Sequence, residues 1–231
     1  MKIERLVWDS DFFGLRIGRA FVFSEEEGMS LASQRKYLEE DYDLLYVCTS
    51  HGLRFTDDKA KLVDEKMAYS LSEVVSAEAN PCVELWDTKN GVTDELLHLA
   101  LISGKYSRFK LDGSLPSGSY ERLYSRWIER SVNHVIATEV FCYMVNNMPR
   151  GLVTLDRKNG VGTIGLVAIH EDFQYQGIGA AMMRHVIRFA QKHDCGKLSV
   201  KTQLENVSAC KLYEKVGFQV ESVTDVWHWW L

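Results

Sequence analysis

The chain has 231 residues, of which 46% are apolar and 26% are charged, and it carries a formal net charge of −5. This length suits one large domain or two small ones, and the apolar content is too high for a disordered chain. The negative charge and the absence of a long basic run exclude the electrostatic signature of a nucleic-acid-binding protein.

Cysteine spacing and hydropathy indicate the compartment in which the protein works. The five cysteines are scattered, odd in number and never spaced as CxxC, so neither a zinc site nor a disulfide framework is predicted. The seven histidines lack HExxH spacing, so no metal site is predicted either. The N-terminal MKIERLVWDSDFF lacks the apolar core of a signal peptide, and no apolar stretch approaches the roughly 18 residues of a membrane span. We therefore expect a cytoplasmic protein with no membrane partner.

Residues 1–90 alternate predicted strands with one predicted helix. The strands are predicted at residues 3–8, 16–23, 44–48, 67–72 and 83–86, and the helix at residues 31–40. Asn90-Gly91 then precedes a segment whose apolar residues recur at helical spacing. We place a soft boundary there, which predicts a smaller N-terminal α/β lobe at residues 1–90 and a second domain at residues 91–231.

The second part contains a loop, a helix and three strands before its main motif. Residues 110–119 include LDGSLPSGS, which is typical of a loop, and a helix is predicted at residues 120–132. Strands are predicted at residues 139–146, 150–155 and 162–169, with Asn146-Asn147 and Asn159-Gly160 as turn signals. The pattern predicts an antiparallel meander. Because long loops in compact domains often carry function, we expect residues 110–119 to lie near a substrate.

A QxxGxG pattern joins the third of these strands to an amphipathic helix. At Gln174, Gly177 and Gly179 the missing glycine side chains let backbone amides approach a ligand, and a helix N-terminus presents partial positive charge. This arrangement suits a pyrophosphate. A dinucleotide-binding Rossmann turn fits poorly, because it expects an acidic residue after the next strand, which here ends in KTQ. A tight strand-to-helix turn that binds nothing is the remaining alternative.

A second motif follows the strand predicted at residues 197–202. In ENVSACKLYEKVGF, Asn206 or Ser208 can cap a short helix, and Gly217 can end it. The two motifs together resemble the GNAT superfamily of N-acetyltransferases over about residues 137–231. The resemblance implies an α+β fold with a mixed, mostly antiparallel sheet flanked by helices, and acetyl-CoA as acyl donor. The N-terminal lobe is then a candidate for a degenerate GNAT-like half.

The resemblance also implies a cofactor site and a general acid. Tyr213 matches the family tyrosine that protonates the departing thiolate. Amphipathic packing is the alternative role for Tyr213, and helix capping is the alternative for Asn206. The implied cofactor-binding residues are Leu166, Val167, Ala168, Ile169, Gln174, Tyr175, Gln176, Gly177, Ile178, Gly179, Ala180 and Asn206.

The general base and the acceptor site are less defined by the sequence. His170, Glu171 and Glu139 are all candidate bases, and a water relay is an alternative. On the substrate side, Phe13 is a candidate for lining a sugar or base pocket, with core packing as the alternative. Arg108 is a candidate partner for a nucleotide diphosphate, since guanidinium matches phosphate geometry.

Motifs along nearly the whole chain resemble a narrower family, which acetylates dTDP-4-amino-4,6-dideoxygalactose (dTDP-fucosamine). They are LxWDSxFFG at residues 6–14, HLALISGKYSRF at 98–109, the YxxWIE-type helix at 124–129, KTQLEN at 201–206 and the terminal ESxxxxxxWWL at 221–231. The resemblance implies a small-molecule acceptor, the amine of a nucleotide-linked deoxyamino sugar. A GNAT enzyme for another small amine, an amino acid or a protein N-terminus is one alternative, and a non-catalytic acyl-CoA-binding module is another. Strand edges also allow a homodimer.

Overall fold

The computed structural model describes residues 2–72 and 79–231, which form ten strands and eight α-helices. The strands are β1 Ile3–Arg5, β2 Ile17–Val22, β3 Leu44–Ser50, β4 Ala60–Leu71, β5 Val83–Leu85, β6 Glu139–Val145, β7 Met148–Lys158, β8 Val161–Ile169, β9 Lys197–Gln203 and β10 Gln219–Trp230. The helices are α1 Val7–Phe13, α2 Glu25–Ser33, α3 Arg35–Asp41, α4 Asp94–Ser103, α5 Arg108–Leu111, α6 Ser119–Val132, α7 Ile178–Lys192 and α8 Val207–Lys215. Within these described ranges, no helix is long and apolar enough to cross a membrane.

All ten strands belong to one sheet, in the order β1, β2, β3, β10, β4, β9, β8, β7, β6, β5. The pairs β2–β3 and β8–β9 are parallel, and the other neighbouring pairs are antiparallel. The predicted α+β fold with a mixed, mostly antiparallel sheet is therefore confirmed.

The meander predicted from the turn signals is present in β6, β7 and β8. Asn146 and Asn147 have φ angles of 50° and 61°, and Asn159 and Gly160 have φ angles of 53° and 74°. Two consecutive residues with positive φ make the two-residue turn whose twist matches antiparallel strands, and asparagine and glycine tolerate it. The turns therefore follow directly from these dipeptides.

The strand predicted at residues 3–8 is wrong in its second half, because α1 begins at Val7. The Ser10 hydroxyl donates to the Leu6 carbonyl at 2.7 Å. Gly14 ends the helix in the left-handed conformation, with φ 68°. Alternation of charged and aromatic residues favoured a strand, but the local turn chemistry of DSDFFG makes a short helix.

The single helix predicted at residues 31–40 is also wrong, because two helices, α2 and α3, meet at Gln34. The Ser24 hydroxyl accepts from the Glu27 amide at 3.2 Å, and the Glu27 carboxylate accepts from the Phe23 amide at 2.8 Å. This reciprocal pair is a variant of the capping box, in which the amide before the cap is the donor, and it begins α2 six residues earlier than predicted.

Helices cover both faces of the sheet. Leu152 packs in a cluster with Leu99 of α4 and Leu123 of α6, whereas the next residue, Val153, packs with Met182 of α7. Because successive strand residues point to opposite faces, α4 and α6 lie on one face and α7 on the other. The helices therefore form two layers, one on each face of the sheet.

The C-terminal strand lies within the N-terminal part of the sheet. β10 pairs with β3 on one side and with β4 on the other. The loop after α5 is attached to the same strand, because the Asp112 carboxylate accepts hydrogen bonds from the rings of His228, at 2.5 Å, and Trp230, at 3.1 Å. The division of the chain near residue 90 stays a proposal about its domain organisation.

Candidate active site

The two parallel strands β8 and β9 separate halfway along their length. Their pairing runs from Val161 to Ile164 on β8, opposite Lys197 to Val200 on β9. Both strands continue, β8 to Ile169 and β9 to Gln203, and among the described residues this part of the pair carries no ladder. The gap opens into a cavity of 770 Å³ whose walls come from β4, β8, β9 and helices on both faces of the sheet.

A bulge in β8, where Gly165 and Leu166 lie opposite the single residue Thr154 of β7, makes this separation. The register between β7 and β8 shifts between Val153 and Leu155, and the Thr154 hydroxyl accepts from the Leu166 amide at 2.9 Å. A Cβ atom on Gly165 would lie 2.7 Å from that hydroxyl oxygen, so only glycine fits opposite it. A bulge bends the strand locally, which turns the end of β8 away from β9.

The end of β8 presents free backbone donors to the gap. The His170 amide donates to the Arg150 carbonyl at 2.9 Å. In an antiparallel pair, residues bonded to the neighbouring strand alternate with residues that face away. The amides of Val167 and Ile169 therefore face the gap rather than β7. They are suitably placed to donate to a ligand lying along β8.

The helix α7 begins at the same cavity with an amide-rich N-terminus. Gly177 precedes it with φ 80°, a conformation that strains residues with a side chain. The first bond inside the helix joins the Ala181 amide to the Gly177 carbonyl at 3.0 Å. The amides of Ile178, Gly179 and Ala180 therefore have no partner within the helix. Such an end binds anions well.

The side chains of this turn mainly bond to or pack against the protein itself, although Gln174 and Tyr175 also line the cavity. Gln174 donates from Nε2 to the carbonyl at the end of β8, at 2.9 Å, and Gln176 donates to a carbonyl of the preceding turn, at 3.0 Å. Tyr175 is 94% exposed, with φ 61°. The Ile178 side chain is buried in the core. Gly179 lies so close to α8 that a Cβ there would be 3.2 Å from a methyl carbon of Leu212.

Tyr213, on α8, lines the cavity from the other side of the gap. Its side chain is almost fully buried, and its ring meets the ring of Tyr69 edge-on, with centroids 5.7 Å apart. Burial raises the pKa of the Tyr213 phenol above its ordinary value. The phenol is therefore protonated at neutral pH and can donate a proton to an atom in the cavity.

Asn206 caps α8 and also lines the cavity. Its side-chain oxygen accepts from the Ala209 amide at 3.3 Å, and its nitrogen donates to the Thr202 hydroxyl at 3.2 Å. The capping role considered from the sequence is thus observed. A role in binding the cofactor stays a prediction.

The opposite end of the cavity contains charged side chains that the sequence reasoning missed. Asp64 and Lys66, on β4, line it beside Arg108, whose Nη1 lies 3.8 Å from Asp64 Oδ2. Burial raises the pKa of the Asp64 carboxyl. Burial also lowers the pKa of Lys66 to about 8, and the nearby charge of Arg108 acts in the same direction. The available signal was LVDEKMAYSL, where charged residues interrupt an otherwise apolar strand.

The remaining candidates lie outside the cavity wall. Phe13 is buried in the core, stacked on Phe109 with ring centroids 5.5 Å apart. Glu139 forms an ion pair with Arg157, at 2.8 Å. Two further candidate bases, His170 and Glu171, follow the end of β8. Glu171 Oε2 lies 3.0 Å from Nε2 of His98, which is on α4. Each of these residues contacts another side chain of the protein, and none of them lines the cavity.

Residues 111–218 match the family described as the Acetyltransferase (GNAT) family. The chain carries a GNAT acetyltransferase domain. Enzymes of this family are acyltransferases, and their acyl donor is acetyl-CoA. The matched part of the GNAT domain contains the separated end of β8, the start of α7 and Tyr213, whereas β4, with Asp64 and Lys66, precedes it.

The GNAT domain has relatives with named activities. The chain is 27% identical to the dTDP-fucosamine acetyltransferase of Escherichia coli O6:H1, over 95% of this chain and 94% of that protein. It is 25% identical to the spore coat polysaccharide biosynthesis protein SpsD of Bacillus subtilis, over 65% of this chain and 52% of that protein. The chain spans about half the length of three of its curated relatives, SpsD among them.

A solved structure supports the fold over nearly the whole chain. The GCN5-related N-acetyltransferase of Sphaerobacter thermophilus superposes with a TM-score of 0.61. The alignment covers 98% of this chain and 75% of that chain, at 13% identity. An identity this low supports the fold of the GNAT domain and carries nothing about its substrate.

Proposed function

We propose that the protein transfers an acetyl group from acetyl-CoA to the amine of a nucleotide-linked deoxyamino sugar, of the dTDP-4-amino-4,6-dideoxyhexose type. The observation that carries this proposal is the single cavity of 770 Å³, which joins the amide-rich start of α7 to the buried charges of β4. Acetyl-CoA and an acceptor amine can therefore bind in the same cavity and contact each other there. The whole-length similarity to a dTDP-fucosamine acetyltransferase supports the acceptor class.

The donor occupies the α7 end of the cavity. The free amides of Ile178, Gly179 and Ala180 bind the pyrophosphate of acetyl-CoA, and the pantetheine lies along the open end of β8. The amides of Val167 and Ile169 can then donate to the thioester carbonyl. Fixed amide donors stabilise the oxyanion that develops there.

The transfer is direct and needs one proton removed and one supplied. The neutral acceptor amine attacks the thioester carbonyl, the C–S bond breaks, and CoA leaves as a thiolate. Tyr213 protonates the thiolate, since its phenol, whose pKa is raised by burial, holds its proton at neutral pH. Asp64 lies at the acceptor end, where a carboxylate can take the proton that the amine gives up.

The test measures thiol release from acetyl-CoA with a panel of nucleotide-linked 3-amino and 4-amino deoxysugars, amino acids and peptides. We expect turnover with a dTDP-linked amino sugar, and a rate lowered about 10²–10⁴-fold in Tyr213→Phe, as is usual for the loss of a general acid. Tyr37→Phe is the matched control, since Tyr37 is 76% exposed on α3. Binding of acetyl-CoA should be the same in all three proteins.

Other outcomes select the alternatives. Turnover with amino acids or peptides alone would support N-acetyl transfer and would exclude a nucleotide-linked amino sugar as the acceptor. Tight CoA binding with no turnover on any amine would favour a non-catalytic acyl-CoA-binding module.

We also propose that the protein works in the cytoplasm, where its five free cysteines would stay reduced. A homodimer stays a prediction from the sequence.

A further inference from the structure

The acceptor end of the cavity is built on one face of two neighbouring strands. Asp64 and Lys66 are two residues apart on β4, so their side chains share a face. Gln203 of β9 lies directly opposite Lys66 in the ladder, and Lys201 lies opposite Ala68 on the same face. These polar side chains all line the cavity, at the end away from α7.

The cavity has an excess of positive charge although the chain as a whole is negative. Its described lining contains six basic side chains and a single carboxylate, that of Asp64. The six basic residues are Lys66, Lys105, Arg108, Lys201, Lys211 and Lys215. Lys211 and Lys215 are exposed on α8, the helix that carries Tyr213, whereas Lys66 is on β4 beside Asp64 and Arg108.

Asp64 cannot neutralise both of its buried neighbours. The Arg108 side chain is 14% exposed and that of Asp64 is 2% exposed. Arg108 lies over the rings of Tyr46 and Phe109, at 4.8 Å and 4.3 Å from their centroids, which fixes its guanidinium beside Asp64. Among the described residues, Lys66 has no ion pair of its own, and both burial and Arg108 disfavour its charged form. A buried cation in this position lacks one anion.

Two buried polar atoms at this end also lack partners. Arg108 Nε and Asp64 Oδ1 are buried without a hydrogen-bond partner among the described residues. Buried polar groups in folded proteins are nearly always paired, by protein atoms, water or a ligand. One donor and one acceptor are therefore available side by side in the cavity, next to the Lys66 ammonium.

We propose that Lys66 and Arg108 form a subsite for an anionic group of the acceptor, with the acceptor amine placed on the Asp64 side. The acceptor is then an amine that also carries a phosphate or carboxylate, and neutral or polycationic amines are rejected. In a nucleotide-linked amino sugar the diphosphate supplies this group. This inference rests on the proposed function and narrows its substrate class.

Binding of anions is measured by calorimetry with CoA at saturation, so that the start of α7 is occupied. The probes are dTDP, inorganic pyrophosphate and, as the neutral comparison, thymidine. We expect Lys66→Met to weaken dTDP and pyrophosphate binding about 10- to 100-fold, the usual effect of removing one charged hydrogen-bond partner. Lys66→Arg should retain binding, and Lys61→Met, at an exposed position of the same strand, should equal wild type. CoA affinity and melting temperature verify that each variant is folded.

The kinetic arm compares Michaelis constants for the two substrates. We expect Lys66→Met to raise KM for the nucleotide-linked amino sugar and to leave KM for acetyl-CoA unchanged. Equal dTDP affinity in wild type and Lys66→Met overturns the subsite, as does failure of wild type to bind either anion. Efficient turnover of a neutral methyl glycoside of the same amino sugar also overturns it. Failure of the protein to bind CoA would instead overturn the proposed function, and the comparison of wild type with Lys66→Met, made without CoA, would still decide the subsite.

Discussion

At the scale of single residues, two small residues open the gap between β8 and β9. Thr154 accepts a hydrogen bond from the Leu166 amide, and Gly165 leaves the room for it. Without this contact, the amide would face a buried apolar environment with no partner, since Thr154 is 3% exposed. The separation of β8 from β9 thus depends on one hydroxyl and one missing side chain.

Replacing Thr154 by valine should destabilise the protein. Valine has nearly the same shape but leaves the Leu166 amide unpaired, which costs about 1–3 kcal/mol of the free energy of unfolding. Urea unfolding measures this loss. Thr154→Ser keeps the hydroxyl and should lose less, and Thr163→Val on the exposed side of β8 is the control. An unfolding midpoint for Thr154→Val equal to that of wild type would show that the hydroxyl does not hold the bulge.

At the scale of elements, α8 combines structure and chemistry within nine residues. Asn206 begins it, Tyr213 projects from it into the cavity, and Leu212 contacts the start of α7. A helix that starts one residue later would rotate Tyr213 by about 100° about the axis, because an α-helix has 3.6 residues per turn. The cap therefore also sets the direction of the proposed general acid.

Two substitutions at Asn206 separate its cap from its proposed contact with acetyl-CoA. Asn206→Ala should lower the free energy of unfolding by about 1 kcal/mol, whereas serine caps helices about as well as asparagine. Asn206→Ser should therefore keep the stability but weaken acetyl-CoA binding about tenfold, the effect of one lost hydrogen bond. Urea unfolding and calorimetry measure the two effects. If Asn206→Ser bound acetyl-CoA with wild-type affinity, Asn206 would act only as a helix cap.

At the scale of the whole molecule, β10 joins the first and last parts of the chain. It lies between β3 and β4, and through His228 it also holds the loop that follows α5. His228 is fully buried against the ring of Tyr46. Burial lowers the pKa of His228, although the hydrogen bond to Asp112 opposes this. The contact between two distant segments is therefore linked to pH.

Stability should fall as the solution becomes acidic, beginning near pH 6.5, the ordinary histidine pKa. Below that pH the unfolded chain protonates His228 while the folded protein, with its lower pKa, resists, so protons favour unfolding. Burial opposes ionisation of Asp112, but its hydrogen bonds hold its pKa below the ordinary value, so it adds acid sensitivity only in a still lower range.

The measurement for this prediction is the urea midpoint at pH 8 and pH 5.5. His228→Asn keeps a donor for Asp112 but cannot titrate, so its midpoint should change less between the two pH values than that of wild type. His134→Asn is the control, because His134 is exposed in a turn with φ 55°, which asparagine tolerates. Equal pH dependence in wild type and His228→Asn would contradict the prediction.

The sequence by itself determined the features whose causes are local. The Asn-Asn and Asn-Gly turns, the QxxGxG start of α7 and the Asn206 cap each depend on residues within one or two turns of chain. The meander and the local structure of both motifs could therefore be predicted. Where a local signal was overlooked, as with the capping box at Ser24 and Glu27, the helix boundaries were wrong.

Only the tertiary structure decided which distant residues share the cavity. Asp64 is more than a hundred residues from Tyr213, and β4 reaches the cavity because β10 and β9 pair on its two sides. Strand order and register are set by non-local packing. The charged residues of β4 look the same in the sequence whether their side chains face solvent or a buried site. The residues of the proposed donor half could thus be read from contiguous segments, whereas those of the proposed acceptor half, with its excess of basic side chains, come together only when the sheet is assembled.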